Sequence, residues 1–126
     1  MAKEHYQGFK DLIVYQKAFK LAMEIFHVSM DFPKEEKYAL TDQIRRSSRS
    51  VGSCISEAWP KRKYIKHFVS KLTDSQSEAC ETIHWLDVSL SCNYITKEKH
   101  QDLTDLTLEV QRMLESMIKK PEKFCN

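Results

Sequence analysis

The stretch LTDQIRRSSRSVGSCISEA, residues 40–58, decides the fold. Leu40, Ile44, Ser47, Val51, Cys54 and Ala58 recur within it at alternating steps of four and three. Side chains so spaced share one face of an α-helix, and a sustained 4,3 repeat is the seam of a left-handed helical bundle. Ser47 and Cys54 keep that seam thin, which lets a neighbouring backbone approach closely. Proline lacks an amide hydrogen and clashes with the preceding turn. Pro33 and Pro60 therefore delimit this helix to about 35–59.

The same spacing continues on both sides. Leu12, Tyr15, Phe19, Ala22 and Phe26 predict a helix over about 11–31 with those residues as its core stripe. Ile65, Val69, Leu72, Gln76, Ala79, Ile83, Leu86 and Leu90 predict one over about 62–93. Leu103, Leu106, Val110, Met113 and Met117 predict one over about 96–120. The segment from Asn93 to Thr96 separates the last two, with Thr96 placed to cap the orphan amides of the next first turn. Short connections make consecutive helices antiparallel neighbours. The fold class that follows is all-α, an antiparallel up-down-up-down four-helix bundle, with 1–126 as one domain. Composition agrees. Two glycines and three prolines in 126 residues are too few for the turns of a β-rich fold. With 30% charged and 41% apolar residues, the chain suits helices that have one dry face and one wet one.

No stretch reaches the roughly 18 uninterrupted apolar residues of a membrane span, and MAKEHYQGFKD at the N-terminus has no apolar h-region. No membrane association and a cytoplasmic location are expected. Cys54, Cys80, Cys92 and Cys125 form no C-x-x-C pair. They read as reduced thiols in small apolar positions, in preference to a disulfide framework or a zinc site.

The first helix is apolar on two sides. At about 100° per residue, Val14, Leu21, Ile25 and Val28 fall opposite its first stripe, and the third helix turns Trp85, Val88 and Cys92 away from its core line. In a protein this small a second apolar side meets another subunit. Val14, Leu21, Ile25, Val28 and Trp85 are thus the expected oligomer interface; the alternative is a core face assigned to the wrong side of the helix.

Two Glu-x-x-His pairs, Glu24 with His27 and Glu81 with His84, imitate a di-iron bundle, with Glu57 and Glu109 as the remaining carboxylates. On the stripes above, Glu24 and Glu81 point about 170° from their own core lines, whereas shared metal ligands must point inward. Phosphate-binding glycine loops, nucleophile elbows and H-E-x-x-H motifs are missing. No metal, no cofactor and no enzymatic activity are expected.

Charge distribution is more informative. From Arg45 to Lys71 there are eight Lys and Arg (Arg45, Arg46, Arg49, Lys61, Arg62, Lys63, Lys66 and Lys71) against Glu57 alone, a local +7 in a chain whose total is +2. Arg45, Arg46 and Arg49 fall within about 60° of the direction opposite the core stripe of their helix. Trp59, Tyr64, His67 and Phe68 are interleaved with the basic run and offer rings for base stacking. The outer face of the third helix then turns acidic at Asp74, Glu78 and Glu81. A one-sided basic patch attracts phosphate backbones without reading sequence. The competing readings are a solvated face with local ion pairs, or arginines that meet carboxylates such as Glu57 or Glu78 across a subunit contact.

Several linked motifs in order resemble one bacterial family. FKDLIVYQKA (residues 9–18), FPKEEKYAL (32–40), QIRRSSRSV (43–51) and Ser75-x-x-Glu78 are similar to the four-helix proteins encoded by intervening sequences in 23S ribosomal RNA genes. That family also includes the accessory variability determinant of diversity-generating retroelements. The resemblance covers about residues 9–118. It implies a four-helix protomer, a ring-shaped homopentamer, and a basic surface that binds nucleic acid and a reverse transcriptase. One element departs from the family pattern: the usual Asn-Ile-Ala-Glu-Gly stands here as Cys54-Ile55-Ser56-Glu57-Ala58, followed by Pro60.

Together these observations lead to a non-enzymatic, oligomeric accessory protein. Its expected contacts to RNA or DNA backbone, with low sequence specificity, are Arg45, Arg46, Arg49, Arg62, Lys63 and Lys66. The alternative is a structural scaffold that docks a protein partner such as a reverse transcriptase and binds no nucleic acid itself.

Overall fold

Among the residues described by the computed structural model, 6–125, four α-helices form and no strand: α1 (Ile13–Ser29), α2 (Asp42–Ala58), α3 (Ile65–Ser91) and α4 (Lys97–Lys119). Residues 1–5 and 126, which the sequence analysis assigns to the same domain, lie outside the described residues. A 3-10 turn over Lys34–Glu36 and a π turn over Lys37–Thr41 lead into α2, and a 3-10 turn over Trp59–Lys63 joins α2 to α3. Thr96 caps α4 as expected, its hydroxyl accepting the Lys99 amide at 3.0 Å. α3 ends with Asn93 in the left-handed region at φ 63°. There the Tyr94 amide reaches the Ser89 carbonyl and the Asn93 amide reaches that of Leu90, both at 2.9 Å. These paired bonds satisfy the last carbonyls of the helix.

Side-chain contacts fix the topology. Ser75 meets the Val51 carbonyl and Thr82 meets Ser47, so α2 and α3 are antiparallel. Gln111 on Cys80 and His100 on Asp87 do the same for α3 and α4. Arg45 on Ser29, with Gly52 beside Ala18, orients α1 against α2. The fourth seam joins α1 to α4, where Lys17 pairs with Glu109 and Leu12, Val14 and Ala18 share a core with Val110, Leu114 and Met117. Towards the other end the core continues through Leu21, Ile25, Ile44, Leu86 and Leu103. The phenol of Tyr94 donates to Glu36 at 2.8 Å. That bond, with burial, holds its pKa up at about 12.

The two faces of α1 are exchanged relative to the sequence expectation. Val14, Leu21 and Ile25, expected at a subunit interface, are buried in the protomer's own core with Ala18 and Ser29, and Val28 is half-buried against the same core. Phe19, expected in the core, is 55% exposed, while Tyr15, Ala22 and Phe26 are half-buried. The reason is size. The aliphatic stripe, interrupted by Ala18 and Ser29, fits a closed interior, whereas the aromatic stripe finds partners along the α1–α2 edge. α3 is rotated as well. Its buried line is Phe68, Leu72, Ser75, Ala79, Thr82, Leu86 and Ser89; Ile65 is 48% exposed and Val69, Gln76, Ile83 and Leu90 are half-buried. Trp85, the last expected interface residue, is half-buried against the protomer core, where its indole donates to Glu81 at 3.1 Å.

Arg62 locks the α2–α3 turn. Its guanidinium lies 3.6 Å from the centre of a Trp59 ring, its Nε donates to the Trp59 carbonyl at 2.8 Å, and Nη1 donates to that of Phe124 at 3.4 Å. The turn is thereby tied to the C-terminal segment.

Three outcomes test this packing by thermal or denaturant unfolding. Leu21→Ala should cost about 2–5 kcal/mol, the range for truncating a buried leucine. An interface residue would lower assembly instead, with the protomer intact. Gly52→Ala should stabilise by about 0.5–1 kcal/mol, because alanine is the better helix former and an added Cβ would meet Ala18 and Tyr15 at an ordinary 3.8 Å. Arg62→Ala should cost about 1–2 kcal/mol through lost ring stacking and hydrogen bonds, against almost nothing for the exposed Lys63→Ala.

Candidate nucleic-acid interface

The basic run of the sequence divides into two groups. Arg45, Arg46 and Arg49 sit in the first two turns of α2, and Lys61 to Lys66 follow after its end. Along the α2 axis Arg49 and Lys61 are about 18 Å apart at 1.5 Å per residue. A phosphate backbone meeting both groups has to run along α2.

The first group is partly preorganised. Arg45 is half-buried: its Nε donates to the Ser29 hydroxyl at 2.8 Å, and its guanidinium lies 4.9 Å from the centre of the Phe26 ring. The exposed Arg49 lies 5.7 Å from the same ring, so one aromatic ring supports two cations. Arg46 is exposed. None of the three makes an ion pair with any of the described residues. Together with Asp42, Ser50 and Ser53 they line an open depression of about 450 Å³, in which Asp42 is the one acid. The Ser50 and Ser53 hydroxyls donate to the carbonyls of Arg46 and Ser50 at 2.8 and 3.3 Å. Their oxygens remain available as acceptors.

The second group is thinner than the sequence suggests. Arg62 is engaged in the turn described above, and Lys71 lies 3.6 Å from Glu57 and 3.9 Å from Asp74. Lys61, Lys63 and Lys66 remain exposed. Of the four interleaved aromatics, Trp59 and Phe68 are buried. Tyr64 and His67 stay on the surface, with ring centres 5.5 Å apart. The neighbouring acidic stripe belongs to α3, where burial, with Glu81 and Asp74 close by, raises the Glu78 carboxyl above its ordinary pKa.

The Glu-x-x-His pairs do not converge. Glu81, His27 and His84 are exposed and Glu24 is half-buried on another helix from Glu81. Among the described residues no three His, Cys, Asp or Glu side chains assemble as a metal site. No helix among them is long and apolar enough to cross a membrane. At the departure from the family pattern, Cys54 is buried and burial pushes its thiol pKa up. α2 ends at Ala58, and the backbone continues right-handed through Trp59 at φ −54°. A glycine is not required there, because nothing in the turn visits the left-handed region. Sequence reasoning missed Phe26 and Ser29 as the supports of Arg45; both lie on a neighbouring helix, and only the α1–α2 register brings them together.

The model of the 23S rRNA-intervening sequence protein family matches residues 10–116. A crystal structure of a protein of unknown function from the S23 ribosomal protein family of Bacteroides thetaiotaomicron is 28% identical, covers 86% of this chain and 100% of its own, and superposes with a TM-score of 0.75. No curated protein sequence matches significantly. A superposition over 86% of the chain, and a family match that runs from the turn before α1 almost to the end of α4, lead to one conclusion: the chain belongs to the 23S rRNA-intervening sequence protein family.

Proposed function

We propose that this protein is a non-enzymatic, cytoplasmic, homo-oligomeric accessory protein that binds RNA or DNA through the outer face of α2. The observation that carries this reading is the trio Arg45, Arg46 and Arg49, gathered around one depression with no ion pair among the described residues. Arg45, held by a ring and a hydroxyl, and Arg49, held by the same ring, have already given up part of their side-chain freedom, which lowers the cost of binding a phosphate. Arginine's planar fork fits phosphate oxygens. Lys63 and Lys66 extend the same electrostatic surface, while Arg62 is kept for the turn. In a homo-oligomer such as the pentamer of the family resemblance, the face is repeated and weak single contacts add by avidity. Val14, Leu21 and Ile25 belong to the protomer core, so the subunit contact uses other side chains.

Arg46 and Arg49 are the residues to reverse, since Arg45 also supports the α1–α2 edge. Affinity for mixed-sequence RNA should fall steeply with salt in the wild type, through counterion release. Arg46→Glu with Arg49→Glu should reduce the slope of log K against log salt by about 2 per engaged protomer. Lys119→Glu with Lys120→Glu, at the far end of α4, should change it little. Binding that ignores salt, or a reversal without effect on it, would instead support the scaffold that docks a protein partner.

A further inference from the structure

A second concavity adjoins the arginines. Between α1 and α2 runs a groove of about 350 Å³ whose wall carries Phe9, Tyr15, Phe19 and Met23 and whose floor includes Gly52 and Ser56. Its rings follow one another: Phe9 and Tyr15 meet edge-on at 4.9 Å between centres, and Tyr15 and Phe19 lie 6.2 Å apart. Phe19 is 55% and Met23 40% exposed. No carboxylate lines the groove, and Arg49 and Ser53 line both it and the basic depression. The two hollows therefore adjoin across Arg49 and Ser53 and form one track along α2, cationic at the end that carries Arg45 and Arg46 and aromatic at the other.

We propose that this track takes a single-stranded polynucleotide, with phosphates on Arg45, Arg46 and Arg49 and unstacked bases laid against Phe19 and Tyr15. The inference rests on the nucleic-acid reading above and narrows it to a strand type. A duplex keeps its bases stacked and paired inside, so it gives an aromatic groove nothing to hold, and arginines alone would serve it. A single strand carries both a charged edge and an apolar one, and tracks that bind such strands pair a cationic groove with rings that accept any base. Charge complementarity selects a polyanion for the Arg end, and the missing side chain at Gly52 leaves the floor of the ring end open. Sequence preference should be weak, because each contact is to a phosphate or to the face of a base.

Labelled oligothymidylate and its duplex with oligoadenylate, compared at equal phosphate concentration by fluorescence anisotropy, test the assignment on the full-length protein. The wild type should bind the single strand more tightly. Phe19→Ala should weaken single-strand binding roughly tenfold, within the range for one base–aromatic stack, and leave duplex binding unchanged. Phe19→Trp should restore it, and Ser53→Trp, which narrows the shared wall, should repeat the loss. Arg46→Glu with Arg49→Glu should weaken both probes. Unaltered single-strand affinity in Phe19→Ala, with both probes still lost on arginine reversal, would overturn the groove and leave the backbone reading in place. A fall in assembly mass by light scattering in Phe19→Ala would also overturn it, since a second copy would then cover the groove. Failure of the wild type to bind either probe at low salt would remove the nucleic-acid reading itself.

Discussion

Two buried hydrogen bonds between α2 and α3 constrain the rest of the molecule. Ser75 donates to the Val51 carbonyl at 2.7 Å, and Thr82 and Ser47 are hydrogen-bonded at 2.9 Å, all four residues being fully buried. A buried hydroxyl without a partner costs about 1–3 kcal/mol; a slip of this seam by one residue would take from Ser75 its acceptor on α2 and break the Ser47–Thr82 contact, leaving those two only the carbonyls of Ile44 and Glu78 on their own helices. The seam therefore sets the register of α2 against α3 and the rotation of α2 about its axis. That rotation turns Arg45, Arg46 and Arg49 outward and brings Gly52 against Ala18. The basic face follows from how small hydroxyl residues are satisfied in the core on the opposite side of the same helix.

α2 was legible because its apolar residues are all buried on one side, and the stripe from Leu40 to Ala58 is buried as the spacing predicts. α4 was nearly as plain: Leu103, Val110 and Met117 are buried, with Leu106 and Met113 half-buried beside them. α1 was ambiguous for a physical reason. It carries an aliphatic stripe and an aromatic one, and hydrophobicity alone ranks them alike. What decides is volume: Ala18 and Ser29 permit close approach, whereas Phe19 and Phe26 would hold α2 away. In α3 the hydroxyls of Ser75 and Thr82 hid the true core line, since an isolated serine or threonine reads as surface until its partner on α2 is known.

Of the candidate contacts, Arg45, Arg46 and Arg49 come together around one depression, whereas Lys63 and Lys66 are exposed beyond the end of α2, in the α2–α3 turn and the first turn of α3. Arg62 looks identical to them in sequence but serves the turn. Its role depends on Phe124, sixty-two positions away, and no local pattern carries that information. The same holds for the support of Arg45 by Ser29, sixteen positions earlier. Charge runs identify a surface. Which members of the run are free to meet a ligand is decided by tertiary partners.

The hydrogen bond from Tyr94 to Glu36 joins the connection before α2 to the connection between α3 and α4. At the opposite end, Arg62 joins the α2–α3 turn to the segment after α4. Each tie crosses between hairpins, so neither the α1–α2 pair nor the α3–α4 pair can peel away from its end while both hold. Local opening usually begins at such ends, where few contacts protect the backbone. With both ends fastened, the four helices should open as one cooperative unit, and amide exchange should be slow close to the helix termini. The arginines and the groove along α2 thus lie on a platform tied at both ends.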